Sequence, residues 1–368
     1  MIINKIIAVL LVALLFITGS LTVIDRQLIN SSYYKDRVIL GFMERTGLGE
    51  PILNAFYADT PPMPPIILEG TTKDTNLTIS KQKVLDKLKY TPLEDELLTF
   101  DSKPHININN EKLLINLSEL KNNSKSNPKQ QSVVWNEDLK AVIITINNYK
   151  IIIRQDYLST VPDKIQKINN PEDLLVLVNK NNQLPADYVP EDLIDPSVPS
   201  SKPANDPSRL LRPEAAEALE AMFADAKKEG LELIAVSGYR SYDLQKQIFT
   251  NLAAIRGEEK ANLTSAYPGQ SEHQTGLAMD IALKSDPRLT TSFGDTREGK
   301  WVAENAHLYG FIIRYPKDKT HITGYAYEPW HLRYIGKDIA QEITQMGLTF
   351  EEYLYKMEFN SKLYMYLN

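Results

Sequence analysis

With no cysteine in its 368 residues, this chain can offer a metal only nitrogen and oxygen, and its ring nitrogens come from five histidines. Two of these stand in unusual company. His273 lies in PGQSEHQTGLAMDI, seven residues before Asp280, and His331 lies in YEPWHLRYIG, three residues after Glu328. Asp280 sits between Leu277-Ala278-Met279 and Ile281-Ala282-Leu283, where an ionised carboxylate is costly unless paired or metal-bound. Taken singly, each pair also suits a plainer role. His273 could lie at the surface beside a buried Asp280 that caps a loop, and His331 could pack on Trp330 with Glu328 in solvent. Taken together the four meet a defined need. A catalytic zinc takes three protein ligands and leaves one position for water. His273, Asp280 and His331 would be the ligands, and the ion would bring a water to a pKa of about 7. Glu328, three residues from a ligand, could take that water's proton and pass it to a leaving amine. The helical H-E-x-x-H arrangement of thermolysin-like proteases is absent.

A third segment, VSGYRSYDLQKQ, places Arg240 just past an apolar run and a glycine turn. Its planar fork of donors suits a carboxylate or a developing oxyanion, although an arginine near a helix start is more often a solvated charge.

These residues need a scaffold, and the text from about 171 supplies one. Pro213 can occupy a first helical turn, with Leu219, Met222, Phe223 and Ala226 as one apolar stripe before Gly230. Leu231 to Val236, Leu277 to Leu283 and Gly310 to Tyr315 read as strands, and Ser241 as the cap of a second helix. The spacing predicts His273 on a loop, with Gly269 and Gly276 bending the chain, and Asp280 on the strand that follows. Pro329 argues against one helix through Glu328 and His331, so a strand or turn is expected there. Thr349 and Glu352 form a capping box for a last short helix. Helices and strands mix without regular β-α alternation, so the fold class is α+β.

Five segments in order resemble the zinc D,D-/L,D-carboxypeptidases of the VanY and LdcB type: LVLVNKNNQLPADYVPEDL, the SGYRS and SEHQTGLAMDI segments, NAHLYGFIIRYP and TGYAYEPWHLRYIG. The resemblance runs from about Leu174 to Tyr353, roughly half the chain. It implies a small antiparallel sheet with flanking helices, shared with lysostaphin-type peptidases and the hedgehog signalling domain. It implies Zn2+ on His273, Asp280 and His331, Glu328 as general base, and Arg240 as the residue that stabilises the transition state or grips substrate. Ser271 and Gln245 match positions that contact the substrate, while His307 and His321 carry no assigned role. The implied substrate is the terminal D-Ala of a peptidoglycan stem peptide, joined through a D,D- or an L,D-bond. The alternatives are an endopeptidase that cuts inside cross-links and a non-catalytic wall-binding module; intact Glu328 and Arg240 argue against the second. A further reading gives the N-terminal region the main role, as an adhesion or scaffold protein.

Upstream, Lys5 precedes an uncharged apolar stretch from Ile6 to Ile24 that ends at Asp25-Arg26. Roughly 20 apolar residues cross a bilayer core, so residues 1–25 are expected to be a membrane anchor, or alternatively a cleaved signal. Either places the rest outside the cytoplasmic membrane, and without cysteine a lipoprotein anchor is excluded. Residues 26–98, rich in proline at 61–65, read as a stalk or linker. Residues 99–160 read as a small β-rich module with a hairpin at Asn147-Asn148, and they loosely resemble the module first described at the N-terminus of copper amine oxidases. The zinc carboxypeptidase domain is expected over 171–355, with 356–368 as a C-terminal tail. A net charge of −6 argues against nucleic acid as a partner.

Overall fold

Strand-forming text runs up to Gln155 and mixed helix-and-strand text follows it, and the chain divides accordingly into two compact units at Ser159/Thr160. The computed structural model describes residues 66–73, 76–88, 106–108, 112–117, 131–146, 149–162 and 164–367. The expected anchor or signal at 1–25 lies outside the described residues. Among the described residues no helix is long and apolar enough to cross a membrane.

The first unit holds a seven-stranded sheet. Its strands are β1 (Ile66–Lys73), β2 (Asn76–Ser80), β3 (Ile106–Ile108), β4 (Lys112–Asn116), β5 (Gln131–Asn136), β6 (Ala141–Ile146) and β7 (Tyr149–Gln155), in the order β3-β4-β2-β1-β7-β6-β5. Strand side chains alternate between faces, so Ile66 and Leu68, Leu77 and Ile79, Leu113 and Ile115, Val142 and Ile144, and Ile151 and Ile153 all reach one core. Helix α1 (Lys81–Leu88) adds Val84 to that core. The sheet therefore takes in residues assigned above to the stalk. Strand β1 pairs with β2 and, in parallel, with β7 (Ile66 opposite Ile151), so β1, β2 and α1 belong to the β-rich module.

The second unit is built on a four-stranded antiparallel sheet, which carries Asp280, Glu328 and His331. It contains β10 (Leu233–Ser237), β11 (Ala278–Leu283), β12 (Phe311–Tyr315) and β13 (Glu328–Tyr334), in the order β10-β11-β13-β12. Two short strands, β8 (Gln166–Lys167) and β9 (Asn182–Gln183), pair in parallel with each other. The longer helices are α2 (Pro213–Lys228), α3 (Tyr242–Arg256), α4 (Arg297–Asn305), α5 (Lys337–Met346) and α6 (Phe350–Leu367). Helix α2 starts on Pro213 and buries Leu219, Met222, Phe223 and Ala226 against Leu233, Met279, Ile281 and Leu332 of the sheet. Ser241 Oγ accepts from Leu244 N at 3.2 Å and caps α3. Thr349 and Glu352 cap each other's backbone N–H groups at the start of α6. That helix continues to Leu367 with Phe359 and Leu363 buried, so residues 356–367, expected as a tail, complete the domain.

One helix start is tightly constrained. A Cβ on Gly299, in the first turn of α4, would stand 1.9 Å from the carbonyl oxygen of Phe293. Gly299→Ala should therefore cost about 1–3 kcal/mol through forced backbone shifts. Thermal melts of the two proteins, with a fall of several degrees expected, check this. The short turn that would move, Thr291–Asp295, matters to the site because Thr290 and Thr291 stand on the wall of its cavity.

Candidate metal centre and active site

The register of the sheet brings the first two site residues together. Asp280 on β11 lies directly opposite His331 on β13, and cross-strand partners share a face. Glu328 and His331, three apart on a regular strand, would face opposite ways. The β12–β13 pairing shifts register between Ile313 and Tyr315, opposite Leu332 and Glu328, and this irregularity lets both reach the same cavity. His273 comes from a short 3-10 turn, Glu272–Thr275, closed by Gly276 at φ 67°. Its ring meets that of His331 edge to face with centroids 4.8 Å apart.

His273, Asp280 and His331 are all buried, and a ligating atom from each lies within 4.8 Å of the others. The donor chemistry of this set fits a borderline divalent cation. His273 Nδ1 donates to the carbonyl oxygen of Gly238 at 2.7 Å, which leaves the lone pair on Nε2. Burial, reinforced by the neighbouring Arg240, lowers its pKa to about 4, so the ring is neutral as a ligand must be. Asp280 Oδ1 is buried with no hydrogen-bond partner among the described residues. It lies 3.1 Å from His331 Nδ1 without hydrogen-bond geometry. The Asp280 carboxyl is held well below the usual range: burial opposes ionisation, but His273, His331 and Arg240 outweigh it. His331 moves the other way, up to about 9, because Asp280 and Glu272 overcome the effect of burial. Asp280 thus presents an ionised carboxylate at the spot where the three side chains converge.

Glu328 is 7% exposed, with Oε2 3.8 Å from His331 Nδ1. Burial pushes its carboxyl up to about 7. Arg240 enters from the far side. Its Nη2 donates to Asp280 Oδ2 at 2.6 Å and lies 2.8 Å from His273 Nε2. Its Nε donates to Ser237 Oγ at 3.0 Å and its Nη1 to Gln245 Oε1 at 3.2 Å.

A cavity of about 550 Å³ opens over this cluster, with Arg240, Ser271, His273, Asp280, Glu328 and His331 in its wall. Gln245, expected as a substrate contact, does not line it. Its oxygen holds Arg240, and its amide nitrogen donates to Ala266 O at 2.8 Å and Ser265 Oγ at 3.2 Å, so it supports Arg240 from behind. His307 and His321 lie away from the cavity wall. Sequence reasoning did not single out Tyr315, which stacks on His331 with centroids 4.9 Å apart, nor Tyr325 behind it at 4.7 Å. Tyrosines in apolar text read as core, and only the fold shows them facing a site.

The profile described as VanY, D-alanyl-D-alanine carboxypeptidase, matches residues 208–337, a span that holds Arg240, His273, Asp280, Glu328 and His331. The putative carboxypeptidase YodJ of Bacillus subtilis is 52% identical over 214 residues, covering 57% of this chain and 78% of that protein. The chain belongs to the VanY family of D-alanyl-D-alanine carboxypeptidases. A second relative, the bifunctional D-Ala-D-Ala dipeptidase and D-Ala-D-Ala carboxypeptidase VanXYC of Enterococcus gallinarum, is 36% identical over 184 residues. That match covers 49% of this chain and 92% of VanXYC. Among solved structures, the LdcB LD-carboxypeptidase is 56% identical with a TM-score of 0.50, covering 52% of this chain and 91% of that one. The matched profile falls within the second unit.

Proposed function

We propose that the protein is a zinc-dependent carboxypeptidase that removes the terminal D-Ala from peptidoglycan stem peptides. The observation that carries this reading is the buried His273-Asp280-His331 cluster, with Glu328 and Arg240 on the same cavity wall. His273 Nε2, an Asp280 oxygen and His331 Nδ1 would hold the ion. Zinc, when bound, polarises the scissile carbonyl and acidifies a water. Glu328 takes the proton of the attacking water at a carboxylate oxygen and returns it to the amine of the departing D-Ala. A cation nearby favours the carboxylate form that this first step needs. The guanidinium of Arg240, fixed by Ser237, Gln245 and Asp280, offers N–H donors to charge that develops on the carbonyl oxygen. Ser271, whose position on the cavity wall supports this role, would hydrogen-bond the peptide.

The scissile bond is proposed to be the L,D-bond of the tetrapeptide stem, a reading supported by the 56% identity to the LdcB LD-carboxypeptidase. The apolar run Ile6 to Ile24 supports a membrane-anchored, extracytoplasmic site of action, where such stems are found.

The test is mass spectrometry of synthetic tetra- and pentapeptide stems incubated with the full chain and zinc. The tetrapeptide should lose one D-Ala, and chelation of the metal should stop the loss until zinc is restored. Loss from the pentapeptide alone would replace L,D- by D,D-specificity. Cleavage of neither stem by folded, zinc-loaded protein would remove the carboxypeptidase reading.

A further inference from the structure

Glu272 stands beside His273 in the chain, and none of its side chain reaches solvent. Its two oxygens do different work. Oε1 accepts from Arg314 Nε at 2.8 Å and from Arg333 Nη1 at 2.9 Å. Oε2 is buried, has no hydrogen-bond partner among the described residues, and lies 3.5 Å from His331 Nε2. That ring nitrogen is likewise buried and without a hydrogen-bond partner among the described residues. Buried polar atoms left unmatched are costly and rare, and each of these two faces the other. The opposite nitrogen of the ring, Nδ1, points to Asp280 Oδ1 at 3.1 Å, on the side where the candidate ligands converge. An imidazole that binds a metal through one nitrogen carries a proton on the other, and the acceptor of that proton sets the tautomer and the ring's orientation.

We propose that Glu272 is a positioning residue of the metal centre: its Oε2 accepts the Nε2 proton of His331 and thereby presents Nδ1 to the cation. This inference rests on the reading of His273, Asp280 and His331 as ligands. The two histidines then use opposite ring nitrogens, and different groups hold them. The backbone carbonyl of Gly238 holds His273, whereas His331 on β13 has a carboxylate. The carboxylate is itself gripped by two arginines through its other oxygen, so Oε2 is fixed in place for the ring.

Zinc affinity of the full chain, measured by competition with a chromophoric chelator, tests this. The unmodified protein should take up one zinc; failure there would remove the metal reading itself rather than the role of Glu272. Glu272→Gln keeps the shape but removes the charge, and its one acceptor oxygen must serve two arginines and a histidine. Its zinc affinity should fall by about 10–100-fold, the usual effect of losing such a partner. Glu351→Gln is the control, because it weakens the other carboxylate partner of Arg314 and leaves Oε2 opposite His331. It should melt earlier yet bind zinc as the unmodified protein does. Unchanged affinity in Glu272→Gln, or an equal loss in both variants, would overturn the proposal. If Glu272→Gln does not fold, nitrogen-15 spectra of the zinc-loaded unmodified protein decide. A His331 proton on Nε2 with the metal at Nδ1 is expected, and a proton on Nδ1 would overturn it.

Discussion

Glu328→Gln should lower turnover of the stem peptide by about 10²–10⁴-fold while leaving zinc uptake intact. The magnitude is that of a positioned acid–base group, and the separation from metal binding follows from the geometry. Three other side chains bring their donor atoms together, and Glu328 approaches His331 at 3.8 Å from one side. The substitution should not unfold the protein. Burial already works against the Glu328 carboxylate, raising its carboxyl to about 7, and a neutral amide of the same shape avoids that cost. Steady-state kinetics, metal content and thermal melts on one preparation check the three parts. A variant that keeps its turnover would remove Glu328 from the reaction, whereas one that loses zinc as well would make it a ligand.

The types of residue at this site were legible in the sequence because each carries its own anomaly. Asp280 interrupts an apolar run, and His331 and Glu328 flank a Pro-Trp pair that no regular helix would hold. Their convergence was not legible. It depends on the pairing of Asp280 with His331, and on a register shift that lets Glu328 and His331 reach one cavity. Glu272 shows the same limit more sharply. A glutamate between a serine and a histidine reads as solvated, and only the arrival of Arg314 from β12 and Arg333 from β13 makes its burial tolerable. The support that Gln245 gives Arg240 was not legible either, since its neighbours at 265 and 266 claim its amide nitrogen and Arg240 its oxygen. Of the fold, elements with a strong local pattern were read well, including the strands around 233, 278 and 311 and the caps at Ser241 and Thr349. The misassigned segment, 66–88, owes its place to a parallel pairing with β7 far along the chain, and such contacts leave no local trace.

Arg314→Met should be the most destabilising single change in the second unit's polar core, at about 3–5 kcal/mol. Arg314 is fully buried, donating from Nε to Glu272 Oε1 at 2.8 Å and from Nη1 and Nη2 to the two oxygens of Glu351 at 2.9 and 2.6 Å. Both carboxylates are fully buried too. Burial alone would raise the Glu272 carboxyl, and the guanidinium groups of Arg314 and Arg333 instead hold it well below the usual carboxylate range. Removing Arg314 leaves Glu272 with Arg333, but leaves Glu351, among the described residues, with only the Asn179 amide at 3.3 Å as a side-chain partner. The cost comes from that stranded charge rather than from the pair as such. Arg314→Met combined with Glu351→Leu should therefore recover much of the loss, since apolar groups of similar volume can replace a buried ion pair. For a unit of this size each kcal/mol moves the melting midpoint by about 2–4 °C, so the single variant should melt roughly 6–20 °C earlier. The double variant should melt between the single variant and the unmodified protein. Equal melting of single and double variants would mean that packing around the methionine, and not the unpaired Glu351, sets the loss. In that case the ionic group would hold Glu272 in position beside His331 without being what keeps α6 on the sheet.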